Sequence, residues 1–266
     1  MSNRCSICLA ERRYCFKAKI LNKYTISYFY CDRCGFLQTE EPYWLEEAYS
    51  SAIADADTGL IARNISISKK LGCILFFLLD KEGKYLDLAG GYGILARLMR
   101  DVGFDFYWSD LYCQNVFSKG FDESTAHKPF TAITAFEVLE HIYNPLSFIQ
   151  DALNKSETST IIFSTELFLR MPPDPEQWWY YTLGTGQHIS FFQARTLQYI
   201  ANELSLFLYS NKNIHVITNE SVNKMRLLKL LTGKPSHILQ HYVKIRMASK
   251  TNSDHKILIK NLSNDL

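Results

Sequence analysis

From residue 85 onward, short apolar runs alternate with amphipathic stretches of helical period. The run "KYLDLA" predicts a strand that leads through a glycine turn into the helix "GILARLMRDVG". The strand "FDFYWSD" ends at Asp110, and the strand "FTAITAFE" leads to the helix "NPLSFIQDALNKS". There Asn144 suits the N-cap and Pro145 the first helical position. The strand "STIIFSTEL" follows, then a segment, 170–190, rich in Pro, Gly and aromatics. The helix "QARTLQYIANELS" and the strands "LFLYS" and "IHVIT" close the series. Such alternation predicts an α/β fold, a parallel sheet covered by helices on both faces.

The flanks have other patterns. Residues 43–84 place apolar positions near the helical period. Within 1–38, "YTISYFYC" alternates like a short strand. Beyond about 220 the chain reads as helical. The pattern predicts four parts: a small module at 1–38, a helical linker or cap at 39–84, the α/β domain at 85–219 and a basic helical extension at 220–266. There is no internal repeat and no low-complexity tract.

Composition narrows the function classes. Of 266 residues, 47% are hydrophobic, which suits a substantial core and not wholesale disorder. The net charge of +2 argues against generic binding to nucleic acid. Residues 1–38 carry seven Lys/Arg against two acids, and 220–266 nine against three, a composition usual for solvated surface. The basic tail leaves room for peripheral membrane contact. The longest apolar run is the nine residues between Lys70 and Asp80, too short to span a bilayer. The first residues, "MSNRCSICLA", hold no long apolar segment, so a cytoplasmic location is expected.

Cysteine spacing gives the sharpest local signal. Cys5-x-x-Cys8 and Cys31-x-x-Cys34 stand 22 residues apart, close to the zinc-ribbon spacing. Each turn aims two thiolates at one metal, and two turns complete a tetrahedral shell with Zn–S near ~2.3 Å. Four sulfurs leave no open position, so the zinc would be structural. A module this short lacks a sufficient core, and a metal supplies what is missing. Cys15, Cys73 and Cys113 are scattered and read as small buried apolar residues.

The glycine turn carries the next signal. Asp87-Leu88-Ala89-Gly90-Gly91-Tyr92-Gly93 sits where the first strand of the α/β series meets its helix. Glycines there let the main chain approach a ligand, and in open parallel sheets ligands lie at the strands' carboxyl ends. Asp110 ends the next strand about 20 residues on, placed to accept hydrogen bonds from ribose hydroxyls. No Gly-Lys-Ser/Thr follows, which disfavours a nucleoside triphosphate, and the turn is not a clean G-x-G-x-x-G, which disfavours NAD. An acid two residues before the turn suits a cofactor with a cationic amino group, as in S-adenosylmethionine.

On these residues the chain resembles class I S-adenosylmethionine-dependent methyltransferases. "YLDLAGGYG" is similar to their first motif, "FYWSD" to the second-strand acid and "FTAITAFEVLEH" to the fourth-strand motif. "GQHISFFQARTL", the four-cysteine segment, "YWLEEAY" and "DTGLIARN" resemble a bacterial group with an N-terminal zinc-binding segment, often linked to sugar and polysaccharide biosynthesis. The resemblance implies a doubly wound, mostly parallel, seven-stranded Rossmann-like sheet of order 3-2-1-4-5-7-6 beside a zinc-ribbon module. It implies cofactor binding by Asp87, Ala89, Gly90, Gly91, Gly93, Asp110, Leu111 and Phe136. Ala89 stands where the family has glycine, and a small side chain fits there if φ is negative. Only about 20 residues separate Asp110 from the fourth strand, so the third must be short or degenerate.

Methyl transfer to a sugar hydroxyl calls for a base and for positioning. His188, in the irregular segment after the fifth strand, and His141, just after the fourth, are the candidates, with a structural loop-pinning role as the alternative for each. Glu137 ends the fourth strand and Glu166 the fifth, while Glu140 reads as a helix-surface acid. Trp178, Trp179, Tyr180 and Tyr181, with Gln187, suit stacking on a sugar or a sulfonium, or else staple a long loop to the sheet. Trp44, Tyr49 and Arg63 belong to the linking helices, where ordinary packing is the simpler reading. The leading expectation is thus a methyltransferase acting on a hydroxyl of a sugar or glycan precursor. RNA methylation with the zinc module as reader, and a non-catalytic zinc-scaffolded binding protein, are the alternatives. The sequence is silent on oligomeric state.

Overall fold

A computed structural model of the chain describes residues 4–49, 57–220 and 228–264. Its strands, in chain order, are β1 (Arg13–Ile20), β2 (Tyr24–Tyr30), β3 (Leu37–Thr39), β4 (Lys84–Leu88), β5 (Asp105–Ser109), β6 (Ala132–Ala135), β7 (Ile161–Ser164), β8 (Ser190–Phe191), β9 (Phe207–Asn211) and β10 (Ile214–Thr218). Its helices are α1 (Leu45–Ala48), α2 (Leu60–Leu78), α3 (Ile94–Val102), α4 (Pro145–Lys155), α5 (Ala194–Glu203), α6 (Leu228–Thr232), α7 (Ser236–Arg246) and α8 (Thr251–Asn264). The chain forms two compact units. Of the described residues, the first holds 4–49, 135–155 and 159–219, and the second 57–134, 156–158, 220 and 228–264.

In the first unit, β1, β2, β3 and β8 form an antiparallel sheet in that order. The β1–β2 hairpin turns through Leu21 and Asn22, both at positive φ, with Lys23 N–H donating to Ile20 O. Two left-handed residues in succession define a type I′ turn, whose twist matches that of the strands. One face of this sheet buries a largely aromatic core that includes Ile26, Tyr28, Trp44, Phe168, Tyr181 and Phe191. Tyr181 meets Tyr28 and Phe191 edge-on, with centroids 5.6 and 4.9 Å away. Thus the four-cysteine segment is completed by a strand far along the chain. The Thr196 hydroxyl on α5 also donates to Cys34 O at 2.9 Å. The same unit contains a second sheet, in which β10 pairs antiparallel with both β7 and β9.

In the second unit β4 is flanked by β5 and β6, both parallel to it, with Asp87 opposite Trp108 on one side and Thr134 on the other. The third strand that the resemblance implies is reduced to one parallel bridge, Trp108 with Asp122, where Trp108 N–H donates to Phe121 O at 2.9 Å. Among the described residues this unit holds three parallel strands and the first unit's second sheet three antiparallel ones, where seven mostly parallel strands were expected. The short stretch between Asp110 and β6 leaves too few residues for another crossover.

Helices α6 and α7 pack on α2, whose Leu71, Cys73, Ile74, Leu75 and Leu78 are buried. The anchor of α8 is Arg100 of α3. Its guanidinium pairs bidentately with Asp254 of α8, both bonds 2.8 Å, and donates to Asp105 at 2.9 Å. It also lies 3.6 Å from the centroid of the Phe121 ring. A planar fork with three anionic or aromatic partners is a site that Lys would not satisfy. Of the scattered cysteines only Cys73 is buried; Cys15 and Cys113 are half-exposed, against expectation.

Candidate functional site

The glycine turn leaves β4 at Asp87 and enters α3 at Ile94. Ala89 adopts φ +50°, which overturns the negative φ expected of it. A left-handed non-glycine residue is costly and persists where its surroundings demand it. Gly91 (φ +56°) and Gly93 (φ +83°) continue the same left-handed path. A Cβ on Gly90 would press within 2.8 Å of Trp108 and 2.9 Å of Asp87, and one on Gly93 within 2.7 Å of Asn115. At Gly91 it would meet nothing within 4 Å, so this main chain faces open space.

Asp110 closes on that loop. Its Oδ2 accepts the Gly91 N–H at 2.9 Å, and its Oδ1 accepts those of Tyr112 and Cys113 at 2.7 and 2.8 Å. A carboxylate offers about four lone-pair sites, so a single one remains for a hydroxyl, where two ribose bonds were expected. Asp87 is buried, and its Oδ1 accepts the Thr134 hydroxyl at 2.6 Å. Burial raises its carboxyl to about 7; the Asp110 charge adds to this and the Thr134 bond opposes it. An acid so placed ionises readily once a cation settles beside it. Leu111, by contrast, is 92% exposed. The sequence reading missed Trp108, whose indole N–H donates to Gly91 O at 2.9 Å, and Ser118, whose hydroxyl donates to Gly93 O at 2.8 Å. Trp108 sits one residue from the strand's end, so its position was a signal; Ser118 gave none.

The first unit assembles the other candidates. His141 and His188, 47 residues apart, meet edge-on with ring centroids 4.8 Å apart. His188 Nδ1 lies 2.7 Å from Tyr180 O, and His141 Nδ1 lies 2.7 Å from the Tyr49 hydroxyl and 3.2 Å from Gln187 O. Burial pushes His141 down to about 3, with His188 adding to the effect, and burial pushes His188 down to about 4. Both are neutral near pH 7. Glu140 is fully buried and not a helix-surface acid, because residues 139–141 form a tight 3-10 turn in place of helix. Glu137 sits at φ +57° and its Oε1 accepts the Ser164 hydroxyl at 2.6 Å, while its own N–H donates to Ser164 at 2.8 Å.

The aromatic run divides. Tyr180 and Tyr181 are buried, Trp178 is half-buried and Trp179 is 72% exposed. The Tyr180 and His188 ring centroids lie 4.7 Å apart, and the Tyr180 hydroxyl lies 3.3 Å from that of Thr165. Gln187 is turned to α1, its side chain donating to Ala48 O at 2.9 Å. Trp44 is buried with its indole donating to Gly186 O at 2.8 Å, and Arg63 pairs with Asp57 at 2.6 Å. Phe136, half-buried, also belongs to this unit.

The four cysteines converge as well. Cys5 and Cys34 sulfurs stand 3.6 Å apart, those of Cys8 and Cys31 3.4 Å, and all four lie within 4.8 Å of one another and are buried. With Zn–S near ~2.3 Å, tetrahedral ligands sit roughly 3.8 Å apart, so the donor set fits a zinc ion.

The profile of the family described as "Methyltransferase domain" matches residues 67–206, just over half of the chain. The chain belongs to this family and has a mixed α/β fold. The chain is similar to several solved structures at low identity. TnmH is 14% identical with a TM-score of 0.47 over 68% of this chain and 62% of its own, so the chain spans less than two thirds of that protein. The magnesium protoporphyrin IX methyltransferase ChlM of Synechocystis PCC 6803, with bound SAH, is 13% identical (TM-score 0.41; 65% of this chain, 90% of that one). The mitomycin 7-O-methyltransferase MmcR is 11% identical (TM-score 0.42; 65% and 59%). No curated protein matches the sequence. No helix among the described residues is long and apolar enough to cross a membrane.

Proposed function

We propose that the second unit holds S-adenosylmethionine at the Asp87–Gly93 loop and Asp110, and that the acceptor is a hydroxyl of a sugar or glycan precursor. The observation that carries the cofactor assignment is the loop with left-handed main chain at Ala89, Gly91 and Gly93, bare at Gly91 and tied directly to Asp110. Asp87 and Asp110 would supply the two carboxylates that an ammonium and a ribose require. When bound, the cofactor provides a methyl group made electrophilic by a sulfonium. Leu111 and Phe136 remain proposed cofactor neighbours.

Support for a sugar-like acceptor comes from the first unit. Trp179 presents an exposed face, and Tyr180 behind it contacts His188. Aromatic faces stack on pyranose rings. In this reading Trp178, Trp179, Tyr180, Tyr181, Gln187 and Glu166 form or support the acceptor surface, and His188, His141 and Glu137 handle the acceptor proton. Burial makes both histidines weak bases, so their part is to accept a proton that is already leaving. Cys5, Cys8, Cys31 and Cys34 would hold a structural zinc that ties the first sheet together. A location in the cytoplasm accords with free thiols.

Two experiments test this. Calorimetric titration with S-adenosylhomocysteine should show binding that Asp110→Ala weakens by about tenfold or more. Mass spectrometry of nucleotide sugars and glycans incubated with protein and cofactor should show a product heavier by one CH₂. Absence of S-adenosylhomocysteine binding would leave a zinc-scaffolded binding protein; salt-sensitive RNA retention with methylated RNA would replace the sugar acceptor.

A further inference from the structure

Glu140, His141 and His188 each bring a ligand atom to one place in the first unit, all three atoms within 4.8 Å of one another. We infer that they bind a divalent cation whose open positions take hydroxyl oxygens of the acceptor. The acceptor clause rests on the hydroxyl-methylation reading above; the cation itself does not.

Two imidazoles and one carboxylate are the donor set of catalytic zinc sites and of other first-row sites with open positions. At the limit of the spacing, a centred cation would lie about 2.8 Å from each atom, the 4.8 Å separation divided by √3. Closing to about 2.1 Å asks each side chain to move by well under an ångström.

The surroundings are built for this. His188 Nδ1 faces a carbonyl, Tyr180 O at 2.7 Å, which only accepts. The proton is therefore on Nδ1, and Nε2 keeps its lone pair. His141 Nδ1 lies 3.2 Å from Gln187 O, to which its N–H donates in the tautomer that leaves Nε2 open to a cation, and the Tyr49 hydroxyl stands 2.7 Å from the same nitrogen. Metal-ligating histidines almost always fix their tautomer by donating the other ring N–H to a carbonyl or carboxylate. The main chain locks the two ligand-bearing segments together, since Ile189 N–H donates to Glu140 O at 2.8 Å. Glu137, at its left-handed φ, lies three residues before Glu140 and is oriented by Ser164.

With a cation bound, both imidazoles serve as its ligands and the cation takes over from them the activation of the acceptor. An acceptor hydroxyl bound to it ionises more easily. Its O–H bond breaks, the proton passes to water, and the oxygen keeps the electron pair as a cation-bound alkoxide; nothing is oxidised or reduced. An acceptor with two adjacent hydroxyls could fill two open positions at once, which favours a vicinal diol, a group that sugars carry.

The test uses the full chain with its cysteine cluster loaded with zinc. Titrations with Mn²⁺, Co²⁺ and Zn²⁺, each followed by metal analysis after desalting, should find one equivalent beyond the cysteine-bound ion for at least one of the three. His188→Ala and Glu140→Gln should weaken it by about tenfold or more, with S-adenosylhomocysteine affinity unchanged. No second equivalent with any cation, or one kept in both variants, overturns the site. Should the variants fail to fold, the wild-type Co²⁺ spectrum decides. Weak visible bands without sulfur charge transfer support nitrogen and oxygen ligation, and sulfur bands alone refute it. Hydroxyl methylation that survives removal of the second cation would sink this inference and leave the proposed function standing. A bound cation with no hydroxyl methylated would do the reverse.

Discussion

Asp87 offers a sharp test, because its burial makes stability depend on pH in an unusual direction. The ordinary aspartate value is ~3.9, and burial lifts this carboxyl to about 7 in the fold. Between those values the folded state keeps a proton that the unfolded state has released. Stability contributed by this group is therefore full below pH 4, declines as pH rises and levels off above pH 7. Roughly three pH decades at ~1.4 kcal/mol each give an upper bound of about 4 kcal/mol. Asp87→Asn removes the ionisation while its amide oxygen still accepts the Thr134 hydroxyl. His141, His188 and His215, all depressed by burial, act with the opposite sign over part of the same window, which they reach as pH rises through their folded values toward ~6.5. The difference between wild type and variant cancels them. Urea unfolding of both proteins without cofactor, from pH 4 to 8, should show near-equal stability at pH 4 and a variant more stable by up to about 4 kcal/mol at pH 8. The variant should also bind S-adenosylhomocysteine at least about tenfold more weakly, the usual exchange of function for stability. A stability difference that stays flat across this range would refute the buried-acid argument.

Other perturbations probe separate parts. Asp254→Asn leaves the Arg100 guanidinium buried beside Asp105 alone, and the loss should be about 3–5 kcal/mol; an unchanged thermal melt would remove the anchor role given to α8. In Gly91→Val the added Cβ meets no atom within 4 Å, but the residue must adopt φ +56°. The fold should lose about 1–2 kcal/mol while S-adenosylhomocysteine affinity falls by more than about tenfold, and full affinity in this variant would show that no ligand lies on the loop. Cys31→Ser should lower the metal content from one zinc per chain towards zero and depress the melting temperature; wild-type zinc content would exclude the four-sulfur site.

What the sequence disclosed depended on how local each feature is. The cysteine pairs declare themselves because a Cys-x-x-Cys turn is a complete half-site. The glycine turn does so because strand, turn and helix are contiguous, and Pro145 at the start of α4 is a one-residue signal. The loss of the third strand was legible as a shortage of residues before β6. The orientation of Ala89 was not, since alanine carries no mark of a left-handed φ and its conformation is imposed by the loop it joins. Long-range pairings were hidden for a related reason. β8 is two residues long and gains its identity only by lying against Leu37 and Gln38. Arg100 and Asp254 are 154 residues apart.

Glu140 shows how such a pairing can reverse the meaning of a motif. In "FEVLEH" the spacing of acids and apolar residues suits a helix with Glu140 outward. The chain instead makes a 3-10 turn, whose three-residue period swings that carboxylate inward. Its main-chain oxygen accepts a hydrogen bond from Ile189, one residue past His188 and 49 from Glu140. The same bond brings the second histidine to the first. Burial of the acid, convergence of the imidazoles and the geometry for a cation are therefore one structural event. A change that unseats residues 188–191 from the β3 edge, with Glu140 and His141 untouched, should abolish all three together.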